Sequence, residues 1–138
     1  MQIGFGGRGQ PVAIPIPYNT ADFSASAAMT WTVDAIDVVT FSYLLEGKKL
    51  TLWWRLTNTT VGGVVAGANL LIRYPNGLRA AMETAQVTTA APAAAASEAV
   101  LAFTQVGVAT FTILRFSAAW VLGVNNTDVS GILTVMVQ

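Results

Sequence analysis

The stretch VVTFSYLLEGKKLTLWWRLT (Val38–Thr57) decides the fold. Its apolar residues fall on every second position. Val39, Phe41, Tyr43 and Leu45 precede the glycine, and Leu50, Leu52, Trp54 and Leu56 follow it. A period of two belongs to a strand with one buried face. Glu46-Gly47-Lys48 holds the glycine of a tight hairpin between the two runs. Two antiparallel strands are therefore expected, with Thr51, Trp53, Arg55 and Thr57 on the face opposite the leucines.

Reading outward, the same signals recur. MTWTV (Met29–Val33) is rich in strand formers, and Asp34–Asp37 reads as a turn. Asn58–Ala68 reads as a glycine-punctuated loop before a strand at Asn69–Tyr74, which Pro75-Asn76-Gly77 closes. Further strands are expected at Ala81–Thr89, Ala99–Val106, Val108–Phe116 and, after a turn at Asn125–Asp128, Val129–Val137. Ala90–Ala99 is alanine-rich but short for a stable helix, so it reads as a loop with at most one turn. About eight short strands with turn signals every 8–12 residues predict an all-β fold: an antiparallel β-sandwich, jelly-roll-like, over residues 29–138.

Residues 1–28 read as an extended arm. IGFGGRGQPVAIPIP (Ile3–Pro17) contains G-x-G-x-x-G, the dinucleotide fingerprint. That fingerprint needs a strand before the glycines and a helix after them, because the helix N-terminus binds the pyrophosphate. Only three residues precede Gly4, and Pro11, Pro15 and Pro17 hold the following chain extended. An arm packed on a neighbouring subunit, or a loose terminus, is the expectation in place of a nucleotide site.

Composition points to protein partners. Apolar residues make up 54% of the 138, and charged residues 10%. Ordinary soluble domains carry about 25% charge. A small domain has a large surface, and here too few charges are available to cover it. The longest charge-free run lies between Arg55 and Arg73 and includes TNTTVGG and Asn69, a poor membrane span. The opening residues lack the apolar stretch of a secretory signal. The seven basic residues are scattered and balanced by seven acidic ones, so nucleic-acid and membrane binding are not expected.

Candidate chemistry is sparse. Histidine and cysteine are both absent, which removes the commonest general base and thiolate metal ligands. Asp34 and Asp37 are the nearest carboxylate pair, and their place in a turn accounts for them. Asn58-Thr59-Thr60 and Asn125-Asn126-Thr127 fit the glycosylation pattern, which arises often by chance. No enzyme and no cofactor is expected; scattered Asp and Asn are compatible with Ca²⁺ without requiring it. Trp53 shares its face with Arg55, and both residue types favour subunit contacts. The last strand is apolar on both faces, so it should be covered on both. The residues assigned to partner contact are Phe5, Pro11, Ile14 and Ile16 in the arm, Trp53 and Arg55 on the hairpin, and Val135 and Val137 on the last strand. Trp31 and Trp120 read as core or rim aromatics; stacking of Trp31, Trp53 or Trp120 on a sugar is the alternative.

The succession Trp31, Val33, Asp37, Tyr43, Gly47-Lys48, Val61-Gly62, Pro75, Gly77, Trp120, Asn126-Thr127 and Gly131 resembles small β-sandwich domains of tailed-phage virion proteins. The resemblance spans most of residues 29–137 and rests on turns and strands. It implies a virion-surface protein made in the host cytoplasm, oligomeric and often trimeric. The partners it implies are its own copies, the major capsid protein or another virion protein, and a host-surface glycan. Only an arm of about 28 residues precedes the domain, so a capsid-decorating role is the expectation. A receptor-binding fibre tip, using the loops at Asn58–Ala68, Ala90–Ser97 and Gly123–Asp128, and a carbohydrate-binding module are the alternatives.

Overall fold

The computed structural model describes residues 12–116 and 118–138. Among them lie ten strands: β1 (Ile14–Pro15), β2 (Phe23–Ala25), β3 (Met29–Thr32), β4 (Val38–Glu46), β5 (Lys49–Gly63), β6 (Leu70–Arg73), β7 (Thr84–Ala91), β8 (Glu98–Thr104), β9 (Thr110–Arg115) and β10 (Gly123–Met136). The all-β, antiparallel class is as expected. Instead of about eight strands in a two-sheet, jelly-roll-like sandwich, one continuous sheet of ten curls into a half-barrel. Its order is β1-β4-β5-β10-β7-β8-β9-β6-β2, with β3 on the upper part of β5.

The curl follows from chain length. β1 and β2 stand at opposite ends of this nine-strand path, yet only residues 16–22 separate them. Laid flat, eight strand spacings would span about 38 Å. Eight Cα steps from Pro15 to Phe23 reach at most about 28 Å. The sheet must bend to bring its margins together. Two aromatic contacts mark that bend. Trp54 on β5 meets Phe111 on β9 with ring centroids 4.9 Å apart, although four strand spacings separate them along the sheet. Phe23 on β2 packs edge-on to Trp31 at 5.7 Å and against Phe41 at 5.2 Å, joining one margin to the other.

The hairpin at the centre forms where expected and pairs regularly from Thr40 to Lys49, but a register shift between Val38 and Thr40 turns Val39, expected on the buried face, outward. Leu45 faces Leu50 and Glu46 faces Lys49, leaving Gly47 and Lys48 as a two-residue turn. Gly47 has φ +63°, the left-handed conformation that a primed hairpin turn asks of its first residue. Leu50, Leu52, Trp54 and Leu56 all point into the core. Opposite them, β10 contributes Leu133 and Val135. Gly131 faces Trp54 across the ladder. A Cβ there would lie 2.6 Å from Thr88 Cγ2 and 2.7 Å from Trp54 Cζ2, so the indole occupies the space a side chain would need.

Two segments expected to be a loop and a turn are strand. β5 continues through Asn58 to Gly63, and β10 begins at Gly123. They pair with each other, Gly123 with Val61 and Thr127 with Thr59, through two register shifts, the first with its extra residues on β10 and the second with its extra residue on β5. Asn58 and Asn125 adopt positive φ of 58° and 52°. Their tolerance of that conformation serves bulges here, not chain reversals. Side chains complete the pairing. Asn58 N–H donates to Asp128 Oδ1 at 2.8 Å, and Asn125 N–H donates to Thr60 Oγ1 at 2.9 Å. The buried Thr59 hydroxyl accepts from Trp31 Nε1 and donates to the Thr127 carbonyl, at 2.9 and 2.7 Å.

The extended run of prolines does more than precede the domain. Ile14 and Pro15 pair with Tyr43 and Ser42, at a sheet margin where a missing N–H is tolerated. Ile16 N–H extends the pairing to the Phe41 carbonyl, and Phe23 is buried in the core. Ile14–Pro15 and Phe23–Ala25, within the expected arm, are thus sheet. Ala90–Ala99 behaves as read: β7 ends at Ala91, Pro92–Ala94 makes one tight turn with Ala93 and Ala94 at positive φ, and β8 starts at Glu98. Asp34 and Asp37 also serve a turn, Asp37 Oδ2 accepting from Asp34 N–H at 2.8 Å.

Replacing Phe23 by Ala is expected to cost about 3–5 kcal/mol of unfolding free energy, because the aromatic bridge between the margins is lost. Val39→Ala, at a residue 56% exposed, should change stability by less than about 0.5 kcal/mol. Urea denaturation of the two variants tests this; equal midpoints would contradict a closure carried by Phe23.

Candidate functional site

Two surfaces stand out. The first is the outer face of β4, β5 and β10. Trp53 sits between Ser42 and Ile132, Thr51 between Leu44 and Thr134, and Arg55 between Thr40 and Ser130. Of these nine side chains only Arg55 is charged. Ile132 is 55% exposed, and Trp53 is half-buried by its neighbours on the sheet. Trp53, Leu44 and Ile132 make a small apolar patch on a face otherwise lined by hydroxyls, between Arg55 at one end and the Lys49–Glu46 ion pair at the other.

The expected contact residues divide accordingly. Trp53 and Arg55 lie on this outer face. Val135 and Val137 do not: both are buried, and both belong to the single core. Ile132 and Met136, their neighbours on the alternate face, are the exposed ones. β10 thus buries one face in the core and leaves Ile132 and Met136 exposed on the other. Ile14 is exposed and Ile16 packs against the core. Phe5 and Pro11 lie outside the described residues. Trp31 and Trp120 are buried, as expected of core aromatics.

The second surface is the seam where the curled sheet stops short of closing. A cleft of about 630 Å³ lies between Ile14–Asn19 and Tyr43 on one side and Asp22 and Arg73–Gly77 on the other. Asn76, held at φ 57° by the Pro75–Gly77 turn, donates from Nδ2 to the Tyr43 hydroxyl at 3.0 Å across it. The Tyr18 hydroxyl donates to the Val33 carbonyl at 2.7 Å, anchoring that wall. Asn19 Oδ1 accepts from Ala21 N–H at 2.9 Å and starts the turn that carries Asp22. Asp22 faces Arg73 at 3.7 Å. Tyr74 is buried, its hydroxyl meets no hydrogen-bond partner among the described residues, and burial pushes its ionisation upward. Sequence reading passed over Tyr18, Tyr43 and Asn76. The tyrosine after Pro17 and the Pro-Asn-Gly turn were visible, but nothing in the sequence put them across one gap.

The loop after β9 is pinned by an ion pair. Arg115 donates from Nε and Nη2 to Glu98 at 2.8 and 2.9 Å, and its Nη1 donates to the Ala119 carbonyl. Of the loops expected to be available for receptor contact, Asn58–Gly63 and Gly123–Asp128 are taken up by the β5–β10 ladder. Among the described residues no three acidic side chains gather as a metal site, and no helix is long and apolar enough to cross a membrane.

No protein-family model, curated protein or solved structure matches the chain.

Two carboxylates respond to pH with opposite sign. The hydrogen bonds from Arg115 hold Glu98 below its ordinary range. Its contribution is present above the unfolded value and lost as pH falls through the folded one. Burial raises Asp22, with Arg73 opposing, so its contribution is present below the unfolded value and lost as pH rises through the folded one. Glu98→Gln should lower the urea midpoint at pH 7 and do little at pH 2. Asp22→Asn should raise the midpoint at pH 7 and do little at pH 2. Shifts independent of pH for both variants would contradict these assignments.

Proposed function

We propose that this chain is a non-enzymatic structural protein of a virion surface that assembles with its own copies, as a trimer, and decorates or cements a capsid. The observation that carries the reading is the outer face of β4, β5 and β10, where Trp53, Leu44 and Ile132 form an exposed or half-buried apolar patch between Arg55 and the Lys49–Glu46 pair. The low overall charge supports it, since a surface short of polar groups is stabilised by contact with protein. The resemblance of Trp31, Asp37, Tyr43, Gly47-Lys48, Pro75, Gly77 and Asn126-Thr127 to tailed-phage virion domains supplies the setting. Cementing works by mass action: a subunit that binds only the assembled shell shifts the equilibrium toward it. A second reading, a receptor-binding tip of a tail or head fibre, is favoured by the seam cleft, an open concavity with aromatic and polar walls.

Sedimentation equilibrium at micromolar concentration should return about three times the chain mass of 14.5 kDa. Trp53→Ser with Ile132→Ser should give monomers with an unchanged circular dichroism spectrum. Removal of a central aromatic anchor costs about 2 kcal/mol or more at an interface, roughly 30-fold in affinity. A wild-type monomer would contradict the assembly. Quantitative mass spectrometry of purified particles separates the two positions: hundreds of copies mean the capsid, and a few mean a fibre.

A further inference from the structure

We propose that the seam cleft is a binding site for a neutral saccharide. The assembly through the outer face has no part in this inference, since the cleft lies at the opposite margin of β4.

Volume sets the scale. About 630 Å³ falls within the range of small-ligand pockets. The lining then narrows the chemistry. A sugar ring has a flat face of C–H groups and a rim of hydroxyls, each of which can donate and accept. Tyr18, 42% exposed, and the half-buried Tyr43 supply aromatic surface for the C–H face. Polar groups for the rim converge from three separate elements. Asp22 only accepts and Arg73 only donates, and at 3.7 Å their contact is looser than a hydrogen bond, leaving capacity on both. Asn76 donates to the Tyr43 hydroxyl, and its carbonyl oxygen has no donor among the described residues. A donor beside an acceptor matches a pair of neighbouring hydroxyls.

Charge excludes other ligands. Asp22 and Arg73 are the two charged side chains lining the cleft, and they cancel. A strongly anionic ligand attracted by Arg73 would meet Asp22, and a cation would meet the reverse. Tyr74 backs the cleft from the core side: it is 1% exposed and packs against Phe111, so it closes the floor and leaves recognition to the groups at the rim.

The test uses the full chain on an array of neutral and sialylated oligosaccharides, followed by titration calorimetry with the methyl glycoside of the strongest hit. Binding to at least one neutral glycan is expected. Arg73→Gln and Asp22→Asn should each weaken it at least tenfold, while Lys48→Gln, at the hairpin turn, leaves it unchanged. Arg73 is largely exposed, so its variant keeps the fold, and circular dichroism checks both. Three results would overturn the proposal: no signal from any neutral glycan, signal from sialylated glycans alone, or undiminished binding in both folded cleft variants. Sedimentation of the same samples reports assembly separately, so loss of one property is distinguishable from loss of the other.

Discussion

Seven residues between two strands at opposite margins of one sheet shape the rest of this molecule. Because residues 16–22 cannot span a flat sheet of nine strands, the sheet curls, and curling creates the interior. Trp54 then reaches Phe111, and Phe23 reaches Trp31 and Phe41. The same shortness leaves the margins close without pairing. The seam cleft is the remainder of that incomplete closure, and Asn76–Tyr43 is its one side-chain hydrogen bond across the gap among the described residues.

Polar residues sustain the curl where backbone pairing fails. β10 pairs with β7 only at Asp128–Ser130, after which the strands part. The Gln86 side chain bridges the gap as a peptide group would, donating to the Thr134 carbonyl at 2.6 Å and accepting from Thr134 N–H at 3.1 Å. Farther along, Ala80 bridges to Val137, so the sheet reconnects below the opening. On the other edge of β10, Asn58, Thr60, Asn125 and Asp128 hold the bulged ladder to β5. These side-chain bonds supply partners where the ladder is interrupted, and Asn126 Oδ1 is the buried amide oxygen they leave unpartnered among the described residues.

Much of this was legible. Period-two alternation marked Val38–Glu46 and Lys49–Thr57, and the Gly47 turn set their register, because slipping one residue would place Leu50, Leu52 and Leu56 in water. Asn58–Gly63 and Gly123–Asp128 were not legible as strand. Asn and Gly signal positive φ, and a bulge and a turn need the same conformation; only the long-range partner distinguishes them. For β10 the difficulty was different. With apolar residues on both faces, nothing local separated Val135 and Val137 from Ile132 and Met136.

By itself the sequence determined the strand class, the central hairpin, the single turn at Pro92–Ala94 and the shortage of surface charge, because each follows from residues close together in the chain or from composition. Tertiary structure decided which face of β10 is interior, that Asn58 and Asn125 make bulges, and that Tyr18, Tyr43, Asp22, Arg73 and Asn76 share one cleft. Those outcomes depend on pairing between residues far apart in sequence. The register of β10 against β5 and the curl imposed by a short link are global constraints, and no local pattern of hydrophobic or turn-forming residues encodes them.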